Sequence, residues 1–154
     1  MLKEGLEIKD YTLKEFLGKG GFGDVWKARK STDLFENEFE FAIKFFRPEY
    51  ARGINIERIK KEIEIWKRVS GASNIISVLD ADRFENYIYI VSEYANGGTL
   101  EEWINANGGK AASPEQAVQI IMEILNGLEN MHSRNFIHRD LKPANILIKK
   151  MFFA

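Results

Sequence analysis

Ile137-His138-Arg139-Asp140-Leu141-Lys142-Pro143-Ala144-Asn145-Ile146-Leu147-Ile148 is a polar loop between two apolar ends, and its spacing is far from random. At the chain's own frequencies of His, Arg, Asp and Asn, the pattern H-R-D-x-x-x-x-N arises by chance in about 3 of 10,000 such sequences. Each residue type has a chemical use. A carboxylate at Asp140 can take a proton from a hydroxyl, an ammonium two residues on at Lys142 can hold a transferring phosphate, and the amide oxygen of Asn145 can ligate Mg²⁺. A polar turn capped by an aspartate accounts for none of that spacing.

Just upstream of this loop the chain reads as helical. Ser113-Pro114-Glu115-Gln116 combines a cap with proline at the first helical position, and Ala117, Ile121, Ile124, Leu128 and Met131 form the expected apolar stripe, ending near His132. A shorter helix starts at the capping-box pair Thr99 and Glu102 and closes at Asn107-Gly108-Gly109. Before Ala95-Asn96-Gly97-Gly98 the pattern is that of strands, so a boundary falls there. Strands are expected over Tyr11–Leu17, from Val25 to Ala28, over Phe39–Phe45, from Ile75 to Leu79 and from Tyr87 to Val91. In the third, Phe39, Phe41, Ile43 and Phe45 share one face, and Ala42 and Lys44 the other. One helix interrupts them, with Ile56, Ile59, Ile63 and Trp66 as its stripe, Asn55 as cap and Gly71 as stop.

Two features of this strand-rich half carry chemistry. Gly18-Lys19-Gly20-Gly21-Phe22-Gly23-Asp24-Val25 fits G-x-G-x-x-G-x-V, in which bare backbone amides approach phosphate oxygens. Three glycines so spaced occur by chance in roughly 7 of 100 such sequences, so a flexible hairpin turn stays open as a reading. A dinucleotide fingerprint would open a helix after its last glycine, whereas Val25, Trp26 and Ala28 continue a strand. The second feature is Lys44 among Phe41, Ile43, Phe45 and Phe46. A lysine snorkelling from an edge strand explains it alone. A carboxylate on the following helix alters the balance: Glu62 borders the buried stripe, with Glu64 as the fallback, whereas Glu57 suits solvent.

Composition excludes several classes. Lys+Arg at 22 against Asp+Glu at 23 creates no basic field for nucleic acid or an anionic membrane. The absence of cysteine and the presence of only 2 histidines exclude a disulfide framework and leave little for a zinc site. A charged amino terminus and the lack of a long apolar run predict a soluble chain, with a reducing cytoplasmic setting. With 154 residues and 45% hydrophobic content, a packed core is expected.

The glycine-rich loop, the strand motif Phe41-Ala42-Ile43-Lys44, the helix carboxylate Glu62 and the loop His138–Asn145 occur in the order of a eukaryotic-type protein kinase, which the chain resembles from about Tyr11 to about Lys150. The resemblance implies an α+β fold: a five-stranded antiparallel small lobe with one helix and hinge over 1–95, and over 96–154 the first helices of an incomplete helical large lobe. It implies ATP and Mg²⁺ as cofactors and a protein hydroxyl as acceptor. Gly18, Gly20, Gly21 and Gly23 would cradle phosphates, and Val25 and Ala42 would roof the adenine. Lys44 would hold the α- and β-phosphates while pairing with Glu62. Asp140 would be the catalytic base, Lys142 would mark a Ser/Thr rather than a tyrosine kinase, and Asn145 would ligate the metal. Ser92 falls at the gatekeeper position, and Glu93-Tyr94-Ala95 at the hinge whose backbone reads adenine. His138 and His132 would be structural.

No Asp-Phe-Gly or Ala-Pro-Glu sequence follows Asn145, and Lys149-Lys150-Met151-Phe152-Phe153-Ala154 is apolar where the family has a polar turn. The chain therefore reads as truncated by a frame change or early stop, and as weakly active or inactive alone. Two other readings stand beside a truncated Ser/Thr kinase. One is a non-catalytic nucleotide-binding regulator. The other is an interaction module or half of a split kinase, self-associating through the helix Pro114–His132, whose stripe lacks partners.

Overall fold

The computed structural model of the chain describes residues 1–19, 23–31, 39–48 and 54–150. Among these residues, six strands form one antiparallel sheet in the order β1-β2-β3-β4-β6-β5. They are β1 (Glu7–Ile8), β2 (Tyr11–Lys19), β3 (Gly23–Lys30), β4 (Glu40–Phe46), β5 (Val78–Phe84) and β6 (Tyr87–Glu93). Three helices accompany them: α1 (Ile54–Val69), α2 (Leu100–Ala106) and α3 (Pro114–His132), with a 3-10 turn at Pro143–Asn145. The chain divides into two compact units. One holds Met1–Arg68 and Ser77–Tyr94, the other Val69–Ile76 and Ala95–Ala154. The division differs from the expected 1–95 and 96–154 in sending the short segment after α1 to the second unit.

In the first unit, β4 lies inside the sheet between β3 and β6, so both of its edges are paired, and its period-two alternation sorts two environments. Ile43 and Phe45 point into a core with Ile8, Tyr11, Leu13, Ala28, Tyr89 and Val91, against which Phe41 packs. Phe46 points the other way. It joins Ile88 and Ile90 of β6 and Val78 of β5 under Ile59 and Ile63 of α1. Aromatic edges hold the first core, with Tyr11 against Phe41 at 5.3 Å and Phe45 against Tyr87 at 6.1 Å.

The strand expectations need three corrections and the helix that interrupts them one. The sheet has six strands rather than five, because Glu7–Ile8 pairs with β2. Its signal is hidden in a charged terminus, yet Ile8 is only 1% exposed. The strand expected at Ile75–Leu79 runs instead over Val78–Phe84. Asp80, Asp82 and Arg83 resemble turn residues but occupy an edge strand, where charge blocks further pairing. Lys9, in the turn between β1 and β2, forms ion pairs with both aspartates of β5, so the two ends of the sheet curl toward each other. Phe39 precedes β4 and is exposed rather than sharing the buried face. Asn55 lies inside α1 rather than capping it, since the helix already includes Ile54.

In the second unit the caps follow the chain's local signals. Thr99 and Glu102 make both hydrogen bonds of a capping box at α2, and the Ser113 hydroxyl accepts from the Gln116 amide at α3. The stripe of α3 departs from the expected one at a single member. Ala117, Ile120, Ile124, Leu128 and Met131 are half-buried, whereas Ile121 joins Val118, Met122 and Leu125 on the exposed side. Successive apolar pairs on this helix leave periodicity unable to choose which member faces inward. Gly127 is the buried point of α3. A Cβ there would stand 2.7 Å from the carbonyl oxygen of Asn74, so the loop after α1 packs directly on the helix backbone, and Asn130 Nδ2 donates to the Ser73 carbonyl beside it at 3.1 Å.

Helix propensity alone favours Gly127→Ala by about 1 kcal/mol. The contact with backbone reverses the sign, and Gly127→Ala is expected to destabilise the chain by about 1–2 kcal/mol, read as a lower midpoint in urea unfolding at unchanged slope.

Candidate functional site

The candidate residues form two groups, one in each unit. The first rests on strand register. Val25 of β3 is opposite Lys44 of β4, Lys27 is opposite Ala42, and Arg29 is opposite Glu40. Across the other edge of β4, Ala42 is opposite Ser92 and Lys44 is opposite Ile90. Residues directly opposite in an antiparallel ladder share a face, so Val25, Lys27, Ala42, Lys44 and Ser92 all line the face that carries α1. That helix covers the end of the face with Phe46, Ile88 and Ile90. The small Ala42 and Ser92 lie further along it, and the Ser92 hydroxyl reaches the Ala42 carbonyl at 3.4 Å.

Lys44 is half-buried with its Nζ over the Phe46 ring at 4.9 Å. Burial pulls its pKa below the usual lysine range, and the Glu62 carboxylate on α1 works against that pull. Glu62 thus supplies the opposing charge to Lys44, while itself remaining exposed. An ammonium so placed is largely stripped of water, and a phosphate could neutralise it.

Gly23 sits in β3 at a point where a Cβ would meet the Phe45 carbonyl oxygen at 1.9 Å, so close strand approach requires glycine there. Gly18 ends within β2, while Gly20 and Gly21 lie outside the described residues. Glu93 closes β6 and is tied to Ser77 twice: its amide donates to the Ser77 carbonyl at 3.1 Å, and its Oε1 accepts from the Ser77 amide at 2.8 Å. Tyr94 follows it, with the Lys27 ammonium over its ring at 4.9 Å. Ala95 is buried and belongs to the second unit.

The second group is the loop after α3. Arg139 adopts φ 65°, a left-handed conformation that costs a non-glycine residue about 1–3 kcal/mol when imposed by its surroundings. The reversal turns the Asp140 amide back onto Nδ1 of His138 at 3.3 Å, which gives that histidine a structural part. Asp140 Oδ2 accepts from Lys142 Nζ at 3.0 Å and from Asn145 Nδ2 at 2.9 Å. Asn145 Nδ2 also donates to the Asp140 carbonyl at 2.8 Å. Both amide hydrogens of Asn145 are therefore spent on Asp140, which leaves Oδ1 of Asn145 and Oδ1 of Asp140 as acceptors facing outward. These are hard oxygen donors. Oxygen donors of this kind are the type that Mg²⁺ takes when it is shared with phosphates. His132 lies at the end of α3, outside this loop.

The loop is anchored behind Asn145. Leu100 donates to the Ile146 carbonyl at 2.8 Å, Gly97 donates to the Ile148 carbonyl at 2.7 Å, and the Asn96 side chain grips both backbone groups of Lys150. Asn96 carried no signal in the sequence beyond its place in a turn-like Asn-Gly-Gly. The contacts of Lys27 with Glu40 and Tyr94 were equally unmarked, although Lys27 stands two residues after Val25 and so on its face.

A family model described as Protein kinase domain matches residues 11–152. The chain is 35% identical over 139 residues to a probable serine/threonine-protein kinase PknB of Lactococcus lactis, covering 90% of this chain and 21% of that one. It is 31% identical over 147 residues to serine/threonine-protein kinase PLK4 of Drosophila ananassae, covering 95% of this chain and 18% of that one. The chain thus spans about a fifth of the length of the curated relatives it matches. Its fold is like that of the Mycobacterium tuberculosis PknI kinase domain, with a TM-score of 0.77 at 22% identity, over 97% of this chain and 59% of that chain.

Hydrogen bonds from Lys142 and Asn145 hold the Asp140 carboxyl below the usual aspartate range. Its folded pKa lies below the unfolded one, so any stabilisation it brings is present above the unfolded pKa and lost as pH falls through the folded value. Lys142→Met is expected to move the Asp140 titration upward, and Asn145→Ala to do so by less, as followed by carbon-13 chemical shift of the carboxyl.

Proposed function

Because the chain belongs to the protein kinase family, on its serine/threonine side, we propose that its residues bind Mg-ATP for phosphoryl transfer to a serine or threonine hydroxyl of a protein, in a cytoplasmic setting. The observation that carries this reading is the Asp140, Lys142 and Asn145 cluster, in which one carboxylate oxygen is saturated by two donors and the other is left open. When bound, Mg-ATP supplies the phosphoryl group and the cation that spreads its charge.

The chain's own residues do the rest. Lys44, desolvated on the sheet face, binds phosphate oxygens. Val25 and Ala42 provide a small apolar roof for adenine, read by the backbone of Glu93 and Ala95, and Gly18, Gly20, Gly21 and Gly23 allow the β2–β3 connection to approach phosphates. Asp140 accepts the hydroxyl proton at its open oxygen. The same oxygen orients the hydroxyl before the proton moves. Lys142, released from Asp140 by the incoming phosphate, offsets the negative charge that gathers there. Asn145 Oδ1 holds the metal.

The sequence contains no Asp-Phe-Gly, and for a polypeptide of these 154 residues alone we expect nucleotide binding with weak or absent turnover. In a thermal-shift titration, millimolar Mg-ATP should raise the melting temperature of the unsubstituted chain, and Lys44→Met should abolish the rise. Any phosphate transfer must disappear in Asp140→Asn. No shift with ATP, with or without Mg²⁺, overturns the nucleotide reading. Robust turnover overturns the expected inactivity.

One observation favours a second reading, self-association: Val118, Ile121, Met122 and Leu125 form a continuous exposed apolar row along α3. Light scattering should then show dimers that Ile121→Lys with Leu125→Lys converts to monomers.

A further inference from the structure

On the face of the sheet that carries Lys44, the pair formed by Lys27 and Glu40 reaches beyond the strands. Lys27 Nζ lies 2.8 Å from Glu40 Oε1 and also stands over the Tyr94 ring, 4.9 Å from its centroid. Three segments, β3, β4 and the residue that follows β6, meet at one ammonium. Both charged side chains are largely withdrawn from water, at 20% and 27% exposure, so the cation is not the freely hydrated kind whose surface pairs contribute little. A partly desolvated ammonium over an aromatic face is also better placed than an exposed one.

We propose that Lys27, held by Glu40, is a positioning residue for nucleotide binding: it braces the Tyr94 ring and thereby fixes the backbone on either side of Tyr94 that reads adenine. The inference rests on the nucleotide reading given above, and it adds a residue to which that reading assigns no part. Glu93 is fixed independently by its two hydrogen bonds with Ser77. Lys27 extends the hold by one residue, to the point where the chain leaves the sheet. Its side chain lies in register beside Ala42, so it fixes the adenine end of the face, whereas Lys44 serves the phosphate end.

The network makes Lys27 removable without stranding a charge. Glu40 Oε1 also accepts from Arg29 Nη2 at 3.2 Å, so Lys27→Met leaves the carboxylate paired and keeps an apolar stem along the sheet. Lys27→Arg keeps the cation, the ion pair and the ring contact.

Calorimetric titration of the full chain with adenosine, ATP and metal-free tripolyphosphate tests the proposal. Lys27→Met should weaken adenosine and ATP by about 3- to 10-fold, the range expected for one aromatic–cation contact, and leave tripolyphosphate unchanged. Lys27→Arg should restore adenosine. Fluorine-19 spectra of the chain with 3-fluorotyrosine at position 94 should show the ring resonance moving in Lys27→Met without any ligand. Unchanged adenosine affinity in Lys27→Met overturns the inference alone, as does an equal loss for tripolyphosphate, which would mark general structural damage. Failure of the unsubstituted chain to bind adenosine or ATP overturns the nucleotide reading and this inference together.

Discussion

The register between β3, β4 and β6 is the constraint on which the first unit depends. Because the side-chain period of a strand is two, a slip of one residue in β4 would send Lys44 into the core with Tyr89 and Val91 and bring Ile43 and Phe45 out to the face under α1. An ammonium among Ile8, Leu13 and Val91 would cost several kcal/mol or lose its proton. The apolar side chains of β4 and the lysine between them therefore enforce the same alignment from opposite sides. That alignment sets Val25 beside Lys44 and Ala42 between Lys27 and Ser92. Fold and candidate site are in this sense one decision: the pairing that buries Phe45 also assembles the polar face.

The same logic explains what could be read in advance. β4 was legible because it alternates, β6 because it is a continuous apolar run after a polar turn, and α3 because Ser113 and Pro114 mark its start. The His138–Asn145 loop was legible for a different reason. Its residues interact within eight positions of one another, so spacing in sequence is close to spacing in space. Glu62 lies between these cases: helical register placed it beside the buried stripe, but only the packing of α1 on the sheet makes its charge act on Lys44.

What stayed hidden depends on partners distant in sequence. Glu7–Ile8 is too short to show a period, and its strand exists because β2 offers an edge and the core has room for Ile8. Asp80 and Asp82 look like turn residues until Lys9 is placed opposite them. On α3, adjacent apolar residues such as Ile120 and Ile121 make the buried member a matter of where the Ser73–Asn74 segment and Gly127 meet. Lys27 is the functional counterpart of these misses. Its surroundings come from Glu40 and Tyr94, 13 and 67 positions away by their numbers, and no local pattern announces them.

The loop around Asp140 shows why a left-handed arginine can persist there. In the β or α region, Arg139 would carry the Asp140 amide away from Nδ1 of His138. At φ 65° the chain doubles back, and hydrogen bonds from Lys142 and Asn145 converge on one oxygen of Asp140. Only the bond from the Asp140 amide to His138 spans the left-handed residue, whereas the bonds that Lys142 and Asn145 make to Asp140 lie wholly beyond it. The reversal therefore belongs to the His138 side of the loop, and the low carboxyl pKa to the donors on the Asn145 side.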